Sequence, residues 1–216
     1  MRPHVTLKLA TSLDGRIATA AGESRWITGE KARAAVHLMR AENDAVLIGA
    51  ETARTDDPEL LARIEPAPKR QPARVVIASS FDVPCTGRLF ATLKQAPVIV
   101  VGTLENNARG TLEAAGAETL IAGSGESVDL AVALSLLSQR GITSVLVEGG
   151  GRIAASLIGA GLVDRLEWFR APMVLGAEGR PAIGGLSLSK LDEAPVFRRI
   201  AFRELGPDLW ESYERA

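Results

Sequence analysis

The sequence holds one cysteine, two histidines and one tyrosine in 216 residues, and aromatic side chains make up only 4% of it. The lone thiol, Cys85, excludes a disulfide framework and any multi-cysteine metal site. Two histidines, His4 and His37, are too few for a histidine-cluster site. Neither sign of charge is in excess: 25 Lys+Arg stand against 26 Asp+Glu, a net charge of −1. The basic surplus typical of a nucleic-acid partner is therefore missing. Long apolar runs are missing as well, the longest being about six residues where a membrane helix needs roughly 20. Met1 to His4 lead straight into a strand pattern broken by Lys8 and Asp14, so no signal-peptide core is visible and the expected location is cytoplasmic. What is present is ordinary for a globular protein, 46% hydrophobic and 24% charged. At roughly 150 residues per domain, a single domain over residues 1–216 is expected.

Short β-rich runs alternate with helical patterns. Val5 to Ala10 reads as a strand, Asp14-Gly15 as a turn, and Arg16 to Thr19 as a hairpin arm pairing back on that strand. Thr28 is the expected N-cap of a helix from Gly29 to Glu42. Strands are expected at Asp44–Ala50, Arg74–Ala78, Pro97–Val101, Leu120–Ile121 and Thr143–Glu148, with Ile64 to Pro72 as a surface loop. Helices are expected over Asn106–Ala115, Ser127–Arg140 and Gly151–Ala160. Arg165–Ala171, Pro195–Leu205 and Leu209–Tyr213 close the chain as strands without intervening helices. The pattern predicts an α/β fold: a mixed, mostly parallel sheet with helices on both faces and an antiparallel C-terminal end.

Four segments carry chemistry. In Ser144-Val145-Leu146-Val147-Glu148-Gly149-Gly150-Gly151-Arg152-Ile153-Ala154-Ala155-Ser156 a buried strand runs into three glycines and then a helix. Glycines permit close backbone approach, and a helix N-terminus offers free N–H groups and a favourable dipole for a phosphate; a plain tight turn is the blander alternative. Lys8 lies in an apolar strand, either paired at a site or snorkelling from the strand end. Arg33, His37 and Arg40 share one helix face, which by itself reads as a solvated basic stripe, and His37 alone supports no catalytic role. The run Gly49 to Arg63 follows a buried strand and ends it with polar residues, where parallel-sheet proteins build ligand sites.

The order of Leu7-Lys8-Leu9-Ala10-Thr11-Ser12-Leu13-Asp14-Gly15-Arg16-Ile17-Ala18, then Gly22-Glu23-Ser24-Arg25-Trp26-Ile27-Thr28, then Asp56-Asp57-Pro58, then Val147-Glu148-Gly149-Gly150 resembles the reductase domain of bacterial riboflavin-biosynthesis deaminase/reductases. The resemblance implies a three-layer dihydrofolate-reductase-like fold. It implies NADPH-dependent reduction of 5-amino-6-(5-phosphoribosylamino)uracil to its ribitylamino product, a phosphorylated pyrimidine substrate, and a homodimer. Ala10, Trp26, Thr52, Asp56 and Ser79 match cofactor-contacting positions, and Gly150, Gly151, Arg152, Ile153, Ala154, Ala155 and Ser156 match the loop that holds the cofactor phosphate. Ser24, Arg40, Leu60, Arg63 and Glu148 match substrate-contacting positions, the two arginines being expected on the substrate phosphate. Lys8 and Asp56 are the expected proton-relay groups, with Glu148 as hydrogen-bond acceptor for the pyrimidine or ribose. Ala78 stands where the family carries an acidic residue. No H-x-E or P-C-x-x-C signature is present, so no deaminase domain and no metal are expected. The alternatives are a related reductase acting on a diaminopyrimidinone or dihydrofolate-type substrate, and a nucleotide-binding module without catalysis. Adjacent Trp168 and Phe169 point to opposite strand faces, so one of them is expected to seek a partner surface.

Overall fold

The computed structural model describes residues 1–103 and 107–216. They fall into two compact units: Met1–His4 with His37–Gly149, and Val5–Val36 with Gly150–Ala216.

The first unit is built on five parallel strands, β3 (Ala45–Gly49), β4 (Ala73–Ile77), β5 (Val98–Gly102), β6 (Glu118–Ile121) and β7 (Ser144–Val147), in the order β7-β3-β4-β5-β6. Every residue of β4 and β5 is buried, as are Ala45 to Ile48 of β3. Unbroken burial of this kind marks parallel strands covered on both faces, which is why these segments read as continuous apolar runs rather than alternating ones. Helices α2 (Ala50–Asp56), α3 (Arg88–Ala91), α4 (Asn107–Ala114) and α5 (Leu130–Ser138) lie between the strands in sequence, and α1 (Glu30–Glu42) enters this unit from His37. Val46, Ile48, Val76, Val98 and Val100 pack with Ala53, Leu60, Phe81, Leu89, Phe90 and Leu112 in one core cluster. Each of the valine, isoleucine, leucine and phenylalanine side chains contributes about 1.5–3 kcal/mol by leaving water.

One charge is sealed into this core. Arg74 of β4 is fully buried. Its Nη1 donates to the carbonyls of Leu89 (3.0 Å) and Glu59 (3.4 Å), Nη2 to the carbonyl of Thr92 (3.2 Å) and also to that of Ala96, and Nη1 reaches the Thr92 hydroxyl at 2.5 Å. Burial pushes the guanidinium down to about 10, against the pull of Glu59. At that value it stays charged at neutral pH, so it costs several hydrogen bonds if removed.

The second unit orders its strands β10-β11-β8-β1, from β1 (His4–Thr11), β8 (Arg165–Arg170), β10 (Phe197–Leu205) and β11 (Asp208–Arg215). β1 and β8 are parallel; β8–β11 and β11–β10 are antiparallel. The mixed, mostly parallel arrangement with an antiparallel C-terminal end is the one expected. Phe169 is fully buried and stacks on Trp210 at 5.1 Å. Trp168 is half-buried, and its indole N–H donates to Thr11 Oγ1 at 2.8 Å. More exposed apolar surface lies on and beside β10, at Phe202 (63% exposed) and Val196 (66%).

Three local expectations are corrected. The Asp14-Gly15 turn forms, with Gly15 at φ +76°, but β2 (Arg16–Ala18) pairs with β9 (Arg180–Pro181), far along the chain, rather than back on β1. Helix α1 starts at Glu30, and the Gly29 N–H is capped by the Asp208 carboxylate at 2.6 Å rather than by Thr28. The polar run after β3 ends that strand as expected, and its first residues form helix α2. Helix α5 is shorter than its periodicity suggested, because Asp129 caps it through Ala131 and Val132. The expected helix start at Asn106 lies outside the described residues; α4 runs from Asn107.

Asp14 does more than turn the chain. Its carboxylate accepts the Ser12 hydroxyl (2.6 Å) and the N–H groups of Leu175 (3.1 Å) and Gly176 (2.8 Å), fastening the loop after β8. The Ser12 hydrogen bond leads in pulling its carboxyl down to about 2. A folded-state value below the unfolded one contributes stability that is complete above about pH 4 and drains away as pH falls toward 2. Asp14→Asn is therefore expected to lower the melting temperature at pH 7 and to flatten its decline between pH 4 and 2. Thermal unfolding across that range checks this; an unchanged acid slope refutes it.

Candidate active site

In the first unit the carboxyl ends of β3, β4 and β7 deliver Thr52 and Asp56 (on α2), Ser79, and Glu148, the positions where parallel sheets place ligands. The Glu148 N–H donates to Leu47 O at 2.9 Å, extending the β3–β7 ladder by one rung, so Glu148 leaves the sheet in a fixed direction. Its side chain is 7% exposed and meets the Arg40 guanidinium, 14% exposed, side-on. Arg40 Nε donates to Oε1 at 2.6 Å and Nη2 to Oε2 at 2.9 Å, while Nη1 donates to Leu61 O at 3.1 Å. Burial opposes the Arg40 charge, but the Glu148 carboxylate more than offsets it, so the guanidinium is held above its ordinary value. The structure thus brings together two residues 108 positions apart that the resemblance placed in the substrate site. It also commits most of the Arg40 fork to a carboxylate rather than to a phosphate.

The loop from Asp57 to Arg63 completes this group. Asp57 and Leu60 take left-handed backbone, at φ 40° and 58°. Leu60 is buried in the core cluster, so the loop offers backbone there rather than that side chain. Asp57 Oδ1 accepts the Arg88 N–H at 2.7 Å, and Glu59 pairs with Arg88 at 2.7 Å and Arg63 at 3.7 Å. The Arg63 side chain is 64% exposed. The loop's backbone is pinned residue by residue: Glu59 O by Arg74, Leu61 O by Arg40, Ala62 N–H and C=O by the Gln71 amide (2.8 and 2.9 Å), and the Arg63 N–H by His37 Nδ1 (3.1 Å). Gln71, Arg74 and His37 were not singled out as site residues from sequence; no local pattern marks a side chain whose partner is a distant backbone group. Ser79 is half-buried, and its carbonyl accepts from the Thr103 N–H and hydroxyl. Ala78 is buried, consistent with an apolar residue there.

The second unit carries the remaining candidates. Along β1, Val5, Leu7 and Leu9 are buried, while Lys8 and Ala10 are half-buried on the opposite face, Lys8 standing across from Glu167 in the register. Glu167 is buried and accepts from Trp210 Nε1 (2.5 Å), Ser212 Oγ (2.6 Å) and Arg165. Ser24 is half-buried, and Trp26 is exposed under the Arg33 guanidinium at 4.6 Å, with Arg25 at 5.9 Å. Arg33 is therefore not an idle surface cation, contrary to the solvated-face reading.

Helix α6 (Gly151–Gly159) begins at the triple glycine with Gly150 as N-cap, and no side chain among the described residues caps it. Its first N–H groups are the ones an anion can use; from Ala154 on, whose N–H bonds Gly150 O at 3.2 Å, they are taken by the helix itself. Arg152 and Ser156 are exposed, Ile153 is half-buried, and Ala154 and Ala155 are buried in the core. A Cβ on Gly151 would meet Pro181 O at 2.6 Å, so that glycine is also demanded by the packing of the chain on itself. The uncapped, dipole-bearing end fits a cofactor phosphate.

Residues 3–210 match the family described as the RibD C-terminal domain. The riboflavin biosynthesis protein RibD of Aquifex aeolicus is 36% identical over 99% of this chain and 58% of its own length. Acinetobacter baumannii RibD superposes over all of this chain and 58% of its own, with a TM-score of 0.87 and 29% identity. A Thermotoga maritima protein described as a diaminohydroxyphosphoribosylaminopyrimidine deaminase/5-amino-6-(5-phosphoribosylamino)uracil reductase covers all of this chain and 57% of its own, at a TM-score of 0.82 and 29% identity. An Enterococcus faecalis dihydrofolate reductase, 14% identical with a TM-score of 0.52, shares the fold. The chain spans somewhat over half the length of the curated relatives it matches. It belongs to the RibD C-terminal domain family, with a dihydrofolate-reductase-like fold.

Proposed function

We propose that this chain is a cytoplasmic reductase of riboflavin biosynthesis, using NADPH to convert the ribosyl group of 5-amino-6-(5-phosphoribosylamino)uracil to ribityl. The observation that carries this is the match over residues 3–210 to the RibD C-terminal domain; the buried, side-on Arg40–Glu148 pair at the carboxyl end of β7 is what the geometry adds. Bound NADPH supplies a hydride to C1′ of the sugar. The C1′–O4′ bond breaks and O4′ takes a proton, for which Lys8 and Asp56 are the candidate donors. Glu148, held in place by Arg40, accepts N–H groups of the aminopyrimidine. Arg63, with its guanidinium largely in solvent, meets the substrate phosphate. The free N–H groups at the start of α6 hold a phosphate of the cofactor, and Ala10, Trp26, Thr52 and Ser79 are proposed to line its course.

The test is NADPH consumption, followed by absorbance, with the phosphoribosylaminouracil as substrate. Turnover with that compound and not with the diaminopyrimidinone analogue or dihydrofolate supports the reading. NADPH binding without consumption would mark a nucleotide-binding module instead.

We further propose a homodimer, supported by the exposed apolar Phe202, Ile200 and Val196 on and beside the edge strand β10. Light scattering is expected to return about twice the 22.8 kDa chain mass; a mass near 22.8 kDa would refute it.

A further inference from the structure

The loop carrying Leu60 and Arg63 is held by backbone pins from four side chains, and three of those keep one charge state throughout the working pH range. Gln71 does not titrate, and Arg40 and Arg74 remain cationic. The fourth is His37. It lies one turn before Arg40 on α1 and accepts the Arg63 N–H at its Nδ1, 3.1 Å away. An imidazole can accept at Nδ1 only while that nitrogen carries no proton, so neutral His37 must keep its hydrogen on Nε2.

We propose that His37 is a positioning residue of the reductase: its neutral ring holds the Arg63 end of the substrate loop, and its protonation releases that end. This rests on the reductase reading above. The sequence dismissed His37 because its face looked solvated, yet its ring is half-buried and engaged with the loop.

The surroundings favour the neutral ring. Burial is the largest influence, and the Arg40 and Arg63 guanidiniums add to it; the Leu61 carbonyl and Glu148 act in the opposite direction without overcoming them. The ring therefore titrates below the ordinary histidine value of about 6.5, so the pin is intact at neutral pH and is lost as the solution becomes acidic.

Loss of one such hydrogen bond should raise the substrate KM about three- to tenfold and leave kcat little changed, because Arg63 sits on the binding loop and not at the reacting carbon. Two substitutions separate positioning from bulk structure. His37→Asn retains an acceptor near the Nδ1 position but cannot be protonated; His37→Leu fills the space without an acceptor. Steady-state kinetics at pH 8 and across pH 5–8 give the readout. The substrate phosphate also titrates near pH 6, but identically for every variant, so only the difference from wild type is read.

The expected result is a His37→Asn KM within about twofold of wild type at pH 8, with a smaller rise toward pH 5, and a His37→Leu KM already raised at pH 8. If His37→Leu does not fold, the His37→Asn profile alone decides. An acid-side rise in His37→Asn equal to that of wild type overturns the proposal, as does a folded His37→Leu with wild-type KM or with kcat reduced in parallel. Wild-type protein that does not turn over the substrate refutes the reductase reading itself, and this inference with it.

Discussion

Arg40→Met is expected to lower kcat/KM by roughly a hundredfold, Glu148→Gln by a comparable factor, and the double substitution by no more than either alone. The reason is the side-on pair. Arg40 spends Nε and Nη2 on Glu148 and Nη1 on Leu61, and both side chains are mostly out of solvent. Removing one partner leaves the other charged and buried, a loss worth about 3–5 kcal/mol when complete, shared between stability and activity. On the proposed reading, the group presented to substrate is Glu148, and Arg40 holds it. If Arg40 instead grips the substrate phosphate, as the family resemblance implies, its loss should vanish with the dephosphorylated substrate, and the double substitution should show additive effects. The pair reading requires the loss to persist there. Arg63→Ala, by contrast, should weaken only the phosphorylated substrate. Arg33 is an unsuitable control because its guanidinium stacks on Trp26; Arg140, paired with Glu118 on the surface, serves better.

Gly150→Asp is expected to move stability and cofactor affinity in opposite directions. Gly150 has φ −72° and ψ 177°, ordinary extended backbone open to any residue, and it is the N-cap of a helix with no side-chain cap. Aspartate is among the best N-cap residues and is a few tenths of a kcal/mol better than glycine there. The variant should therefore fold at least as stably as the parent. Its carboxylate would occupy the N–H groups that a cofactor phosphate needs and repel the phosphate as well, so NADPH affinity should fall roughly a hundredfold or more. Gly150→Ala adds bulk without an acceptor or charge and should lose far less. Calorimetric titration with NADPH beside thermal melts reads both quantities. A stable Gly150→Asp protein with parental affinity would put the phosphate elsewhere.

The parts legible in the sequence were those with a strong local cause. Val46 to Ile48, Val75 to Ile77 and Val98 to Val101 are apolar without alternation because both faces are covered, and they read as buried strands at once. Gly149 to Gly151 announced the strand-to-helix junction. Helix α2 was not legible: in Ala-Glu-Thr-Ala-Arg-Thr-Asp only Ala53 is buried, so no helical period shows. Nor was the partner of β2, since β9 is two residues long and one of them is proline. Within the site, the residue types at Arg40 and Glu148 came from the ordered motifs, but their pairing joins α1 to the end of β7 and leaves no trace in either segment. Arg74 read as the first residue of a strand, where a charge is unremarkable; its burial depends on carbonyls brought over it by the loops around α3.

That last arrangement has a consequence for how the first unit opens. The stretch from Leu89 to Ala96 has one turn of helix and little else, and by its secondary structure alone its amide hydrogens should exchange with solvent as freely as those of any surface loop. Three of its carbonyls, however, are tethered to a guanidinium that issues from β4, a central strand of the parallel sheet. The stretch cannot lift away without leaving that cation buried and unsolvated. The turn amides of Leu93 and Gln95, bonded to Phe90 O and Thr92 O, should therefore exchange only when β4 itself comes apart, making an irregular surface segment part of the slowest-opening unit of the molecule.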